Sequence, residues 1–279
     1  MRYLTGMPSP PVALTIAGSD CSAGAGIQAD LKTFQYHQVH GLTVLTSVVA
    51  ESPHEVAGLE VLTLGMIESQ LDLMLSSYPV RAAKTGMLCR ADIVAMVAQR
   101  FARQADVALV VDPVMIASAG ASLLESAAIG AYEKELFPIA RLITPNLPEA
   151  ERLLGSGIAT ADEMREAAEN LSARYGCSVL LKGGHLAGEL CVDVLACKGR
   201  VERFEQPRIA AVAGHGTGCS LSAAICARLA LGDSLSEAVA AGRRYLLQTL
   251  KSAYRYGPAP AIGHLNQGTQ PWEPGQLDL

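Results

Sequence analysis

The sequence predicts an α/β fold: a mostly parallel central sheet with helices on both faces and a small β-hairpin. Three observations predict it. Short β-branched and apolar runs alternate with stretches of helical periodicity along most of the 279 residues. The predicted strands are apolar throughout, as strands buried on both faces must be, and do not alternate. No Pro/Gly linker and no internal repeat divides the chain, so residues 1–279 read as a single domain. At 50% hydrophobic and 18% charged residues, the composition fills a core and does not suit a disordered chain.

The elements follow in order. Residues 12–17 form a first apolar strand that stops at Gly18-Ser19-Asp20. A helix over 24–38 comes next, in which Ile27, Leu31 and Phe34 recur at i, i+4, i+7 and mark a buried face. Strands are then predicted at 42–49, 80–84, 107–112, 141–144 and 178–182. Between them lie helices at 66–78, 91–103, 122–136 and 161–174, and a further helix starts at Asn146 with Pro148 early in it. The segments 190–196 and 200–205, joined by Cys197-Lys198-Gly199, read as the hairpin. Helices at 217–231 and 234–254 close the fold, and the Pro-, Gly- and Gln-rich tail from about 257 reads as irregular.

Bulk properties exclude several functions. A net charge of −5 with no clustered Lys or Arg argues against nucleic-acid binding and against a membrane-surface role. Seven cysteines, odd in number and without a C-x-x-C pair, suit a reducing compartment. No leader pattern opens the chain, and no apolar run is long enough to span a bilayer. A soluble, cytoplasmic protein is expected.

In open α/β sheets, ligands bind beyond the carboxyl ends of the strands. The residues just past the predicted strands should therefore converge: Gly18-Ser19-Asp20, Glu51, Thr85-Gly86-Met87, Asp112-Pro113, Asn146 and Lys182-Gly183-Gly184. The run Gly214-His215-Gly216-Thr217-Gly218-Cys219 leads into a helix, and its glycines would let N–H groups close on an anion. No Lys-Ser/Thr follows the glycines, so it is not a P-loop; a plain tight turn is the other reading. In the first helical turn, the Cys219 thiol is expected to have a lowered pKa; alternatively it is a small core residue.

Asp30 falls within the buried stripe of its helix, either complementing the helix dipole or, as expected here, facing a polar ligand. Asn146 and Glu149 are spaced to offer oxygen to Mg²⁺, or to form a capping box. Asp112 and Lys182 end buried strands, whereas His185 and His215 are notable only for their location. Acids, a lysine and an anion loop along one edge suggest phosphoryl transfer from a magnesium nucleotide.

The segments "ALTIAGSD", "GAGIQADLKTF", "KTGML", "DPVM", "ITPNLPEA", "LLKGGH" and "GHGTGCSLSAAI" together resemble the hydroxymethylpyrimidine/phosphomethylpyrimidine kinases of the ribokinase-like superfamily. The resemblance runs in order over residues 13–231. It implies a ribokinase-like homodimer that uses ATP and Mg²⁺ on a pyrimidine alcohol and its monophosphate. By position, Gly18, Asp30, Met87, Val114 and Cys219 match residues lining the pyrimidine. Asp112, Asn146, Lys182 and Thr217 match ATP contacts, and Asp112 and Glu149 match the metal position. Gly216, Gly218 and Cys219 match the anion hole, with Cys219 where many sugar kinases carry an aspartate base.

Three residues depart from the family. Glu51 replaces a usual glutamine, Cys21 a common proline and Ser118 a common lysine. An ionised glutamate only accepts hydrogen bonds, so Glu51 either leaves a ring lone pair unmatched or shares a proton with an aminopyrimidine. This keeps a pyridoxal-type alcohol as an alternative substrate. A non-catalytic protein that binds a pyrimidine or vitamin is the alternative from another class.

Overall fold

Neighbouring residues of one strand are buried against different layers. Leu14, Ala83, Val111 and Ile143 belong to one apolar cluster, while their neighbours Ala13, Ala82, Val110 and Leu142 belong to another. Strands that bury both sides must lie inside a sandwich, which the computed structural model confirms. It describes residues 9–52, 54–115, 126–209, 214–256 and 262–268. Ser118, the predicted helical residues 122–125 and most of the predicted tail lie outside these.

β1 (Val12–Asp20) leads into α1 (Gly26–Tyr36), then β2 (His40–Ser52) and β3 (Glu55–Val61). α2 (Leu64–Ser77), β4 (Val80–Thr85), α3 (Ala91–Phe101) and β5 (Ala108–Val111) follow. α4 (Ser126–Ala131), β6 (Leu142–Ile143), α5 (Leu147–Leu154), α6 (Ala161–Tyr175) and β7 (Ser178–Lys182) continue the alternation. The hairpin strands are β8 (Leu190–Cys197) and β9 (Arg200–Pro207), followed by α7 (Thr217–Leu231) and α8 (Leu235–Lys251). The described residues form a nine-stranded sheet in the order β3-β2-β1-β4-β5-β6-β7-β8-β9. β2, β1, β4, β5, β6 and β7 are parallel, and the outer strands β3, β8 and β9 pair antiparallel. Residues of α1, α7 and α8 cover one face, and those of α2 to α6 cover the other. No helix among the described residues is long and apolar enough to cross a membrane.

The predicted α/β class and hairpin hold; four local expectations need correction. β3 was not predicted: "EVAGLEV" has little apolar alternation because this edge strand is largely exposed. The described part of the helix predicted to reach residue 136 changes at Tyr132–Leu136 to π-helical turns. The last helix stops at Lys251, and Tyr254–Tyr256 instead pairs with Ile262–His264 as β10 and β11. In α1, Leu31 is exposed and the buried face is Ala29, Asp30, Thr33 and Phe34, so the stripe lies one position off the expected one.

Candidate active site

The strand ends converge as expected. A cavity of about 570 Å³ opens at the carboxyl edge of the sheet, and its lining includes Gly18, Ser19, Met87, Val114 and Glu51. Asp112, Asn146, Glu149 and Lys182 line it from the neighbouring strands, and the glycine run 214–219 closes over them. The element that aims this run is α7. Its N-cap, Gly216, has φ 79°, and a Cβ there would fall 1.9 Å from the Gly24 carbonyl oxygen. No side chain caps the helix, and no acceptor among the described residues takes the Gly218 or Cys219 N–H groups. Thr217 lines the same cavity with its hydroxyl turned back to the Gly214 carbonyl at 3.0 Å.

Two lysines meet this helix end. A Cβ on Gly218 would lie 3.2 Å from Lys182 Nζ, itself 2.9 Å from Asp112 Oδ1. Burial would raise the Asp112 carboxyl, but Lys182 and Lys84 outweigh it and hold the group below its ordinary range. Thr144 and Ser222 also donate to Asp112, at 3.2 and 3.0 Å. Glu149 has the contrary environment: burial raises it, Lys182 opposes and Asp112 reinforces, leaving it at about 7. Asn146 and Glu149 form the capping box of α5, with reciprocal bonds of 2.9 and 2.8 Å. The bland reading of that pair is therefore real, yet both residues also face the cavity.

The second lysine was missed by sequence reasoning. Lys84 is fully buried, lines the cavity and donates to both oxygens of Asp30 at 2.9 and 2.8 Å. Burial would neutralise it, but the Asp30 charge more than offsets this and raises its pKa. The signal was a lysine inside an otherwise apolar strand segment, "AAKT". This pairing corrects the expectation for Asp30. Its carboxylate sits behind Lys84, also accepts from Thr15 at 2.6 Å, and is not among the cavity-lining residues.

The expected lowering of the Cys219 thiol pKa is also corrected. Burial pushes it up to about 11, and Lys84 and the Gly26 N–H at its sulfur recover only part of that. Desolvation of a thiolate outweighs the favourable helix end.

Behind His215, which lines the cavity, Asp20 Oδ2 accepts from the Ala25 N–H at 2.7 Å, the Gly24 N–H at 3.1 Å and His215 Nε2 at 2.9 Å. Burial works against ionisation, but these bonds hold Asp20 far below the usual carboxylate range. His215 is thus a loop-fixing residue. His185 also lines the cavity. At the opposite end, Arg243 of α8 pairs with Asp193 at 2.7 Å, and Leu246 and Leu250 add apolar surface. Sequence reasoning missed this end too, although Arg243 lies one turn from buried Val239 on the same helix.

Known proteins match this arrangement. The phosphomethylpyrimidine kinase family matches residues 20–265. A hydroxymethylpyrimidine/phosphomethylpyrimidine kinase of Rhizobium meliloti is 42% identical over 248 residues, 88% of this chain and 92% of that protein. The thiamine biosynthesis bifunctional protein of Geobacter sulfurreducens is 43% identical over 244 residues, covering 88% of this chain; the chain spans about 50% of that protein's length. Among solved structures, an ADP complex of Bacillus subtilis pyridoxal kinase aligns with TM-score 0.85 at 35% identity, over 94% of this chain and 98% of that one.

Proposed function

Because the chain belongs to the phosphomethylpyrimidine kinase family, we propose that it transfers the γ-phosphoryl group of ATP to the hydroxymethyl of 4-amino-5-hydroxymethyl-2-methylpyrimidine, and then phosphorylates the monophosphate, in thiamin biosynthesis. The observation that carries this reading is the helix end of α7. Its Gly218 and Cys219 N–H groups, which no acceptor among the described residues takes, share one cavity with Lys182, Lys84 and two carboxyl groups.

The transition state of such a transfer is loose, so positioning and charge matter more than a strong base. The α7 N–H groups hold the transferring group as it passes, and Lys182 balances charge on the phosphate chain. Asp112 and Glu149 suit Mg²⁺, since they offer hard oxygen ligands to one cavity and burial leaves Glu149 in need of a cation to ionise fully. Bound there, Mg²⁺ would screen the phosphate oxygens. Gly18, Met87 and Val114 shape the pocket for the ring. Asn146 and Thr217 stand on the nucleotide side. Cys219 presents sulfur to the substrate hydroxyl and orients it, and the proton leaves late, onto an oxygen of the transferred phosphoryl group.

The apolar surface at Leu246 and Leu250 suits a nucleotide base. The kinase works as one domain, as a homodimer in the cytoplasm. All seven cysteines are free, and β2 and β3 expose the apolar side chains Val48 and Leu59. Phosphorylation of a pyridoxal-type alcohol is the second reading, favoured by the likeness to pyridoxal kinase.

ATP consumption measured with the pyrimidine alcohol, its monophosphate, pyridoxal and pyridoxine tests both. The highest kcat/KM is expected for the pyrimidine. Turnover of the pyridine alcohols alone would replace that reading, and binding without ATP consumption by any of the four would leave a binding protein.

A further inference from the structure

Lys84 lies in β4 opposite Thr15 of β1 and is fully buried. Its ammonium group contacts both oxygens of Asp30 in α1, at 2.9 and 2.8 Å, and Thr15 donates to the same carboxylate at 2.6 Å. Nothing else among the described residues accepts from Nζ, so at least one of its hydrogens is left over. Lys84 lines the cavity and Asp30 does not. The pair is neutral as a whole, but its positive end is the one at the cavity.

Small residues frame that end. A Cβ on Gly86 would fall 3.3 Å from Lys84 Nζ and 2.9 Å from the Ala17 Cβ, and Ala17 and Gly86 both line the cavity. Of the charges around the Cys219 sulfur, Lys84 acts most strongly. Lys182 is engaged elsewhere: it pairs with Asp112 at 2.9 Å, beside Gly218 and the anion hole. One lysine therefore stands at the helix end and the other near the thiol.

Resting on the kinase reading above, we infer that Lys84 is a catalytic residue of the acceptor side: its free N–H takes the acceptor oxygen, and its charge lets one site use first an alcohol and then a phosphate monoester. The donor is the same in both reactions, so each acceptor oxygen must reach the same point, in line with the γ-phosphorus. There it forms the new P–O bond while the bond to the ADP oxygen breaks, and ADP leaves with that electron pair. A hydroxyl must also shed its proton, which passes to an oxygen of the transferred phosphoryl group. An ionised phosphate sheds none and instead brings negative charge up to that of ATP. The Cys219 thiol can orient a hydroxyl but offers little to an anion, being a weak donor. A desolvated ammonium group, fixed in advance by Asp30, offsets the repulsion without reorganising.

Initial rates of the full chain with ATP and either the pyrimidine alcohol or its monophosphate test this. Lys84→Met combined with Asp30→Asn removes the cation without leaving a buried carboxylate, and it should lose about 10–100-fold more kcat/KM on the monophosphate than on the alcohol. Thr15→Val loosens the same tie but keeps the cation, so it should preserve the native ratio between the two acceptors. Lys84→Gln, whose amide can still bond to Asp30, gives the same comparison where the double variant does not fold. Equal losses on both acceptors without the cation overturn the proposal, and so does a ratio that falls as far in Thr15→Val. A native protein active on the alcohol alone also overturns it and leaves the first phosphorylation standing. One active on neither acceptor fails the kinase reading itself.

Discussion

At the scale of single residues, Cys219 separates two chemistries. If its thiolate were the base, log kcat would climb with unit slope towards about pH 11, where burial places the thiol. A thiol that only orients the hydroxyl predicts a level kcat from neutral pH to about pH 9 and a fall of about 10–100-fold in Cys219→Ala. Steady-state kcat at saturating substrates, measured across that range for both proteins, decides between them. The position of Cys219 in the site was legible in the sequence, since glycines running into a helix announce an anion loop. Its electrostatics were not. The helix-end argument is local, whereas the desolvation that wins comes from elements distant in the chain. Asp30 repeats the lesson: periodicity showed that it turns inward, but its partner, Lys84, lies in a strand 54 residues on.

Among the elements, α7 starts with two glycines that do different work, the N-cap Gly216 and Gly218 in its first turn. Gly216→Ala would force a Cβ to within 1.9 Å of a backbone oxygen at a positive φ, so it should lower Tm markedly, together with soluble yield. Gly218→Ala would meet the tip of Lys182 at 3.2 Å and Asp112 Oδ2 at an ordinary 3.6 Å, and its φ is not left-handed. That variant should fold normally and lose about 10²–10³-fold in kcat, as lost anion-hole contacts do. Thermal melts and kinetics on the two proteins check the contrast. The long buried strands and capped helices were readable because each has a strong local signal: unbroken apolar runs, or a cap such as Ser234 with Glu237. β3 was not, because an exposed edge strand has no hydrophobic face to write its period. β11 was hidden by a tail whose composition signals loops.

For the whole molecule, Lys84 acts as a pin. It joins β4 to α1 through Asp30, and Thr15 ties the same carboxylate to β1. Lys84→Met would strand a buried carboxylate, at a cost of about 3–5 kcal/mol. Lys84→Met combined with Asp30→Asn should regain much of that loss. Urea unfolding of the three proteins measures it, and equal losses in the single and double variants would show that packing rather than charge dominates.

Another tie runs from the end of the described chain back to its beginning. Gln267 is buried, donates to the Gly24 carbonyl at 3.3 Å and accepts at its own carbonyl from Tyr245 at 3.0 Å. Gly24 also donates to the Asp20 carboxylate and borders the space reserved by Gly216. For protein engineering, residues 262–268 therefore brace a loop that borders the cavity. A fusion or truncation there edits the substrate loop from behind, even though it changes no residue that touches the ligand.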